Sequence, residues 1–352
     1  MVTQRKPKPS KYLTAPTRPV QVDRDRSIAG VLEKMEGVGF GGRQLAEAHR
    51  IWLDMLGDNT TIYFAASGEL VSAGMRRLIA YVIKNRFVDV VVCTGAVLFQ
   101  DLHETLGRSH YQAHPNMTDA ELEAAQINRI SDVLVSDEEY REAGEWVSQF
   151  VNQLDQTRPY ATRDFLHLLG RELSEISTED GILTACYKAR APVFCPDVAN
   201  SMLAVGMASS RFEKKGNFQF DVVQDTLEMI QIAARSRTTG VINIGEDTPR
   251  SFIQQTIAAT EIVKTQPRGH KYAVQISAIA PHPSARSNPN PSDEALIYGK
   301  LARGAETAYV HCDATIALPF LITALSQTAA KYMKGRKRPN FTFARELAIE
   351  VL

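Results

Sequence analysis

No two cysteines of this chain stand at CxxC spacing. The four, Cys93, Cys186, Cys195 and Cys312, are scattered, and three lie in apolar, strand-like contexts. That pattern points away from a disulfide framework and toward buried, reduced thiols in a cytoplasmic protein. Neither cysteine nor histidine spacing supports a zinc site. No apolar run approaches the roughly 20 residues of a membrane helix. The first stretch, MVTQRKPKPSKYLTAPTRP, is basic but lacks the apolar core of a secretory signal. An excess of one charge is also missing, since 40 Lys+Arg balance 40 Asp+Glu. Nothing in that balance indicates nucleic acid or an anionic membrane as partner. Walker A, HExxH and Ser-His-Asp patterns are all absent.

What is present is ordinary globular chemistry. Hydrophobic residues make up 44% of the chain and charged ones 23%. A length of 352 residues suits one large α/β domain or two packed units. Residues 1–25, rich in Pro, Lys and Arg and without periodicity, predict a flexible basic arm. Residues 26–335 predict a single α/β domain, and 336–352 a basic tail.

Within the domain, strand-like and helix-like patterns alternate. Ser27–Met35 predicts a short helix capped by Ser27, and Arg43–Leu56 a helix with Leu45, Ala48, Ile51, Trp52 and Met55 on one face. Thr61–Ala65 is a strand pattern, Ser72–Asn85 a helix, and Val88–Cys93 a run apolar enough for burial on both faces. Thr94–Gly95 follows at once, with a helix from Asp101. His103–Asp137 and Glu138–Arg158 read as a polar, helical excursion. Strand patterns return at Ala191–Cys195, Gly240–Ile244 and Lys271–Ser277, with helices at Arg163–Leu173, Asp180–Ala189, Phe220–Ser236 and Ser251–Lys264. This is the βαβ rhythm of a doubly wound, mostly parallel sheet. Ala278–Pro291 is a long Pro/Ser/Asn loop, the kind that carries function.

Pro291–Leu321 predicts a helix bearing Glu294, Tyr298 and Lys300, then a strand at Ala308–Cys312 and a corner at Asp313–Thr315. An acid at a strand's carboxyl end is where an open parallel sheet places a ligand, to hold a ribose hydroxyl or an ammonium, although an N-cap is the plainer role. A lysine near a helix C-terminus is ordinarily a solvated cation. The turns at Thr94–Gly95 and Gly240–Gly245 would bring backbone N–H groups to a phosphate, although glycine is common in such turns for geometric reasons alone. His103 is a candidate general base, or simply a satisfied histidine.

Seven stretches together resemble the deoxyhypusine synthase family and its bacterial relatives. They are VDVVVCTGAVLFQDLHETLG (Val88–Gly107), INRISDVLVSDEEY (Ile127–Tyr140), APVFCP (Ala191–Pro196), TTGVINIG (Thr238–Gly245), KYAVQIS (Lys271–Ser277), DEALIYGK (Asp293–Lys300) and DATIALPFL (Asp313–Leu321). The resemblance implies a Rossmann-like NAD-binding core in a homotetramer, with active sites shared across dimer interfaces. It implies a reaction in which NAD takes a hydride from spermidine and a lysine captures the resulting imine. The aminobutyl group then passes to an acceptor amine, a protein lysine or putrescine, and NADH reduces the product. The family's lysine falls on Lys300 and its polyamine-contacting acid on Glu294. Tyr298 stands where the family commonly has Trp, and its ring would still hold an ammonium. Asp313, Thr94, Gly95, Ser72 and Gly245 fall on or beside the family's NAD contacts.

Departures cluster around the donor. A family histidine falls on Phe252, two loop aspartates fall on Asn200 and Val205, and a glycine triplet becomes Gly245-Glu246-Asp247. The loop Ile279–Ser292 holds no carboxylate, and each lost ammonium contact of that kind is worth roughly 1.5–3 kcal/mol. Two alternatives to spermidine-type transfer therefore stand: a drifted, non-polyamine substrate met by Arg286, or a non-catalytic paralogue.

Overall fold

Six short apolar runs set the architecture. In a computed structural model, which describes residues 16–21, 27–114, 116–214, 216–245, 247–266, 268–279 and 299–351, they form one sheet. The strands are β1 (Thr61–Ala66), β2 (Val90–Cys93), β6 (Val193–Phe194), β7 (Thr239–Ile244), β8 (His270–Ser277) and β9 (Leu301–His311). Their order is β6-β2-β1-β7-β8-β9 and every pairing is parallel. All residues of β1, β2 and β7 are buried, as helices on both faces require. The chain steps from β1 outward to β2 on one side, and β7 joins β1 on the other. The switch point of this doubly wound sheet thus lies between β1 and β7.

One face carries α1 (Ile28–Met35), α2 (Phe40–Gly57), α3 (Arg76–Lys84), α4 (Gly95–Thr105) and the last helix, α12 (Ala314–Met333), around a large apolar cluster. The spacing of Ile51, Trp52 and Met55 buries them all, and the Trp52 indole N–H donates to Phe87 O at 3.1 Å, so the ring enters the core without an orphaned donor. Ser27 caps α1 as its sequence position predicts. Further along come α5 (Asp119–Ala124), α6 (Asp137–Gln153), α7 (Thr162–Ile176), α8 (Ile182–Ala189) and α9 (Met202–Lys214). The opposite face carries α10 (Val222–Arg235) and α11 (Thr248–Ala258), which bury Met229, Ile232, Ile253 and Ile257. No described helix is long and apolar enough to cross a membrane.

Four sequence expectations are corrected here. The excursion at His103–Asp137 is not helical throughout. It holds a three-stranded antiparallel sheet of β3 (Tyr111–Gln112), β4 (Ile127–Ile130) and β5 (Val133–Ser136), with α5 as its one described helix. The helix over Met202–Lys214 was not anticipated. The residues expected as a basic tail form a hairpin, β10 (Pro339–Phe343) and β11 (Leu347–Val351), that buries Phe341, Leu347 and Ile349 against α10. Finally, Lys300 is not helical. It is the residue before β9, a strand that begins seven positions earlier than Ala308. The rest of the helix expected from Pro291, with Glu294 and Tyr298, lies outside the described residues.

Candidate functional site

The carboxyl ends of β1, β7, β8 and β9 open into one cleft of about 870 Å³. Ser67, Gly68, Glu69 and Ser72 line it after β1, Ile244 and Gly245 after β7, Ser277 and Ala278 after β8, and Asp313 to Thr315 after β9. His110, Tyr111 and Asp132 from the small antiparallel sheet form a further wall. The cleft therefore straddles the switch point, where open α/β sheets bind ligands.

Gly245 shapes its floor. The residue has φ +82°, and a Cβ there would fall 2.2 Å from Ser67 Oγ, so the position accepts glycine alone. Ser67 Oγ in turn donates to Ile244 O at 3.0 Å, which ties the ends of β1 and β7 together across the switch point. Ser72 is nearly buried. Its N–H donates to Gln100 Oε1 at 3.2 Å, its hydroxyl donates to Glu69 O at 3.0 Å, and Gln100 Nε2 donates to the Glu69 carboxylate. Asp313 caps α12, where one oxygen accepts from Thr315 N at 2.7 Å and Thr315 Oγ1 at 2.6 Å. The second carboxylate oxygen remains for a ligand.

Other predicted residues stand elsewhere. Thr94 and Gly95 follow β2 but do not line the cleft. The Thr94 hydroxyl accepts from Val97 N, and Gly95 N–H donates to Asp197 Oδ1 at 3.1 Å, so that helix N-terminus already holds a carboxylate. Asn200 is exposed, beyond the end of β6, and is not a lining residue. Lys300 lies at the other edge of the sheet, its carbonyl accepting from His270 N at 3.0 Å beside the start of β8. The eight residues of β8, at about 3.3 Å each, separate the two edges by roughly 26 Å. Within one chain Lys300 and the cleft do not meet.

His103 is also outside the cleft. Fully buried, it packs against His110 and Tyr140 at 5.1 and 4.8 Å between ring centroids. Burial, reinforced by the neighbouring His110 and Arg108, lowers its pKa to about 4, so it is a neutral, packed ring, the plainer of the two roles its sequence position offered. The histidine that does reach the cleft is His110, which sequence reasoning missed. Its Nδ1 is 2.8 Å from Glu104 Oε1 and its Nε2 is 3.1 Å from the Tyr140 hydroxyl. Glu69 and Asp132 were missed as well, although Ser67-Gly68 at the end of an apolar run marked the neighbourhood.

The depressed His103 pKa has a consequence for stability. The unfolded chain takes up this proton below pH 6.5 and the native chain only near 4, so the neutral ring's contribution is present above 6.5 and is lost as pH falls to 4. Unfolding free energy is expected to fall on the order of 3 kcal/mol through this window because of His103 alone. Denaturant titrations of wild type and His103→Gln at pH 7 and pH 4 should show a smaller acid loss in the variant, and equal losses would refute the assignment.

The fold and cleft define a doubly wound α/β protein with a ligand site at its switch point. The deoxyhypusine synthase family model matches residues 30–325. The chain is 37% identical over 319 residues to "Probable deoxyhypusine synthase 2" of Methanosarcina mazei, covering 90% of this chain and 91% of the relative. It is 30% identical over 299 residues to "Deoxyhypusine synthase-like protein" of Coxiella burnetii, with 83% of each chain covered. A solved structure, the "putative deoxyhypusine synthase" of Entamoeba histolytica, superposes with a TM-score of 0.62 at 16% identity, covering 89% of this chain and 97% of that one, which speaks to the fold. The chain belongs to the deoxyhypusine synthase family, whose general chemistry is aminobutyl transfer.

Proposed function

We propose that the protein is an NAD-dependent aminoalkyl transferase that moves an amine-bearing group from spermidine or a related amine to an acceptor amine. The observation that carries this reading is the composition of the cleft wall. Glu69, Asp132 and Asp313 line it, and no lysine or arginine does so among the described residues. A site of that charge attracts ammonium groups and partly replaces the carboxylates missing from the Ile279–Ser292 loop.

The cleft also fits the cofactor. Gly245, turned at φ +82°, permits close backbone approach, while the hydroxyl oxygens of Ser67 and Ser72 and the second oxygen of Asp313 offer acceptors for ribose hydroxyls. When bound, NAD would supply a hydride acceptor and later a donor. The chain's own residues orient the amine on the acidic wall. His110, its side chain buried at the cleft wall, is fixed between Glu104 and Tyr140 in one tautomer, because a carboxylate only accepts and so claims Nδ1–H. Lys300, at the opposite edge, would serve the cleft of a second copy, in keeping with active sites shared between subunits of a homotetramer.

Borohydride trapping tests the assignment. Full-length protein incubated with NAD and labelled spermidine is expected to carry label on Lys300, and Lys300→Ala to carry none and to lose transfer. Label on another lysine, or none in the wild type, would overturn the reading. Mixing Lys300→Ala with a cleft-blocked Gly245→Val chain should restore part of the activity if subunits share sites. A mixture as inactive as its components places nucleophile and cleft in one chain.

A further inference from the structure

A second cavity, of about 300 Å³, lies at the amino ends of β7, β8 and β9, the edge of the sheet opposite the cleft. Its electrostatics are the reverse of the cleft's. Arg237, Arg268, Lys271 and Arg303 line it, and among the described residues no carboxylate does so. This is local, because the whole chain is balanced at 40 cationic and 40 acidic residues. The nearest acid in the hydrogen-bond network is Asp58, which meets Lys271 Nζ at 2.7 Å, and that pair is about half exposed on both sides. Arg237 and Arg303 make no ion pair among the described residues, and Arg268 reaches only the Arg237 carbonyl, at 3.4 Å.

The pocket has a built interior behind this charged mouth. Thr260 lines it and is 3% exposed, yet its hydroxyl has no partner among the described residues. A buried hydroxyl left without a partner costs about 1–3 kcal/mol, so the position favours a ligand atom that accepts from it. Gly269 and Gly304, at φ +66° and +74°, turn the backbone at the rim. At Gly269 a Cβ would strike the Leu301 carbonyl carbon at 2.3 Å, so that part of the rim is fixed by packing.

From these features we infer that this edge pocket binds a small phosphoryl compound, a phosphomonoester or a diphosphate. Guanidinium groups pair with phosphoryl oxygens in bidentate fashion, and three exposed arginines line this pocket together with one lysine. The hydroxyl of Thr260 then donates to an oxygen of the anion. A volume near 300 Å³ is at the small end of ligand sites, so a dinucleotide is too large. The inference is independent of any reading of the cleft.

Calorimetric titration of the full chain with inorganic phosphate and with pyrophosphate at low ionic strength tests it. Pyrophosphate is expected to bind more tightly than phosphate. Arg237→Gln/Arg303→Gln should weaken it by at least about tenfold, equivalent to losing one charge-assisted contact. Thr260→Val should weaken it less, by about threefold to tenfold, which diffuse surface charge would not produce. Gly245→Val, altered in the cleft, should bind pyrophosphate as the wild type does. Absence of binding at millimolar anion overturns the inference. So does retention of affinity in the double arginine variant, or its loss in Gly245→Val alone, which would put the anion in the cleft.

Discussion

Replacing Arg163 with methionine is expected to lower the unfolding free energy by about 3–5 kcal/mol. Arg163 has no exposed side-chain surface, and neither has its partner Glu228. The guanidinium donates from Nε to Glu228 Oε2 at 2.8 Å and from Nη2 to Oε1 at 2.6 Å. Nη1 donates to Ala344 O at 3.0 Å and Nη2 also to Arg345 O at 3.1 Å, at the turn of the β10–β11 hairpin. Glu228 Oε1 further accepts from Leu347 N at 3.0 Å. One arginine thus joins α7, α10 and the hairpin. Methionine fills comparable volume but leaves a buried carboxylate without its countercharge and two carbonyls without donors. Urea denaturation measures the loss, and proteolysis between Phe343 and Leu347 should accelerate. Arg163→Met/Glu228→Met should recover much of the stability, since removing both charges removes the desolvation cost as well. A loss below about 1 kcal/mol in the single variant would show that the pair does not hold the hairpin.

The second large effect is expected at Gly245. Gly245→Val should abolish measurable NAD binding while the chain remains folded. The substitution demands φ +82° of a β-branched residue and drives a Cβ to within 2.2 Å of Ser67 Oγ. Relief requires turning the Ser67 hydroxyl away, which breaks its bond to Ile244 O between the ends of β1 and β7, and both floor the cleft. Gly68→Ala is the control. Gly68 has φ +81°, but an added Cβ meets nothing within 4 Å, so it carries the backbone penalty without the collision. Fluorescence titration with NAD should give little change for Gly68→Ala and no saturation for Gly245→Val. Equal binding by the two would remove Gly245 from the cofactor site.

How far the sequence foretold this molecule depended on where the determining contacts lie. Strands β1, β2, β7 and β8 were legible because burial on both faces leaves an apolar run such as VVVC, a local signal. Strands β4 and β5 were not, since β4 is no more than half-buried, and INRI shows neither alternation nor a continuous apolar run. The hairpin of β10 and β11 hid for a similar reason, bracketed by basic residues and fixed by Arg163, some 180 positions away in the chain. In the site, Gly245 and Asp313, singled out by their places at strand ends, and Ser72, named through the family resemblance, line one cleft, because ends of parallel strands converge whatever the loops contain. Lys300 did not, because the length of β9 is set by pairing with His270 and not by its own composition. His103 and His110 show the same limit. Both are histidines near one helix with buried side chains packed around Tyr140, and only that packing decides which of them stands at the cleft wall.

Strand β9 also bears on the basic pocket. It is the outermost strand of the sheet among the described residues, and is 11 residues long. Its ladder with β8 is broken between the pairs His270–Leu301 and Tyr272–Glu306, where β9 carries four residues against one. Arg303, Gly304 and Glu306 fall in or beside that break, so the strand begins with an irregular, charged segment rather than a flat apolar one. The same segment, through Ala302, Arg303 and Gly304, forms part of the basic pocket. The break in the ladder and the rim of the pocket therefore share one piece of backbone, and a change that straightens the strand to improve its pairing with β8 would reshape the pocket.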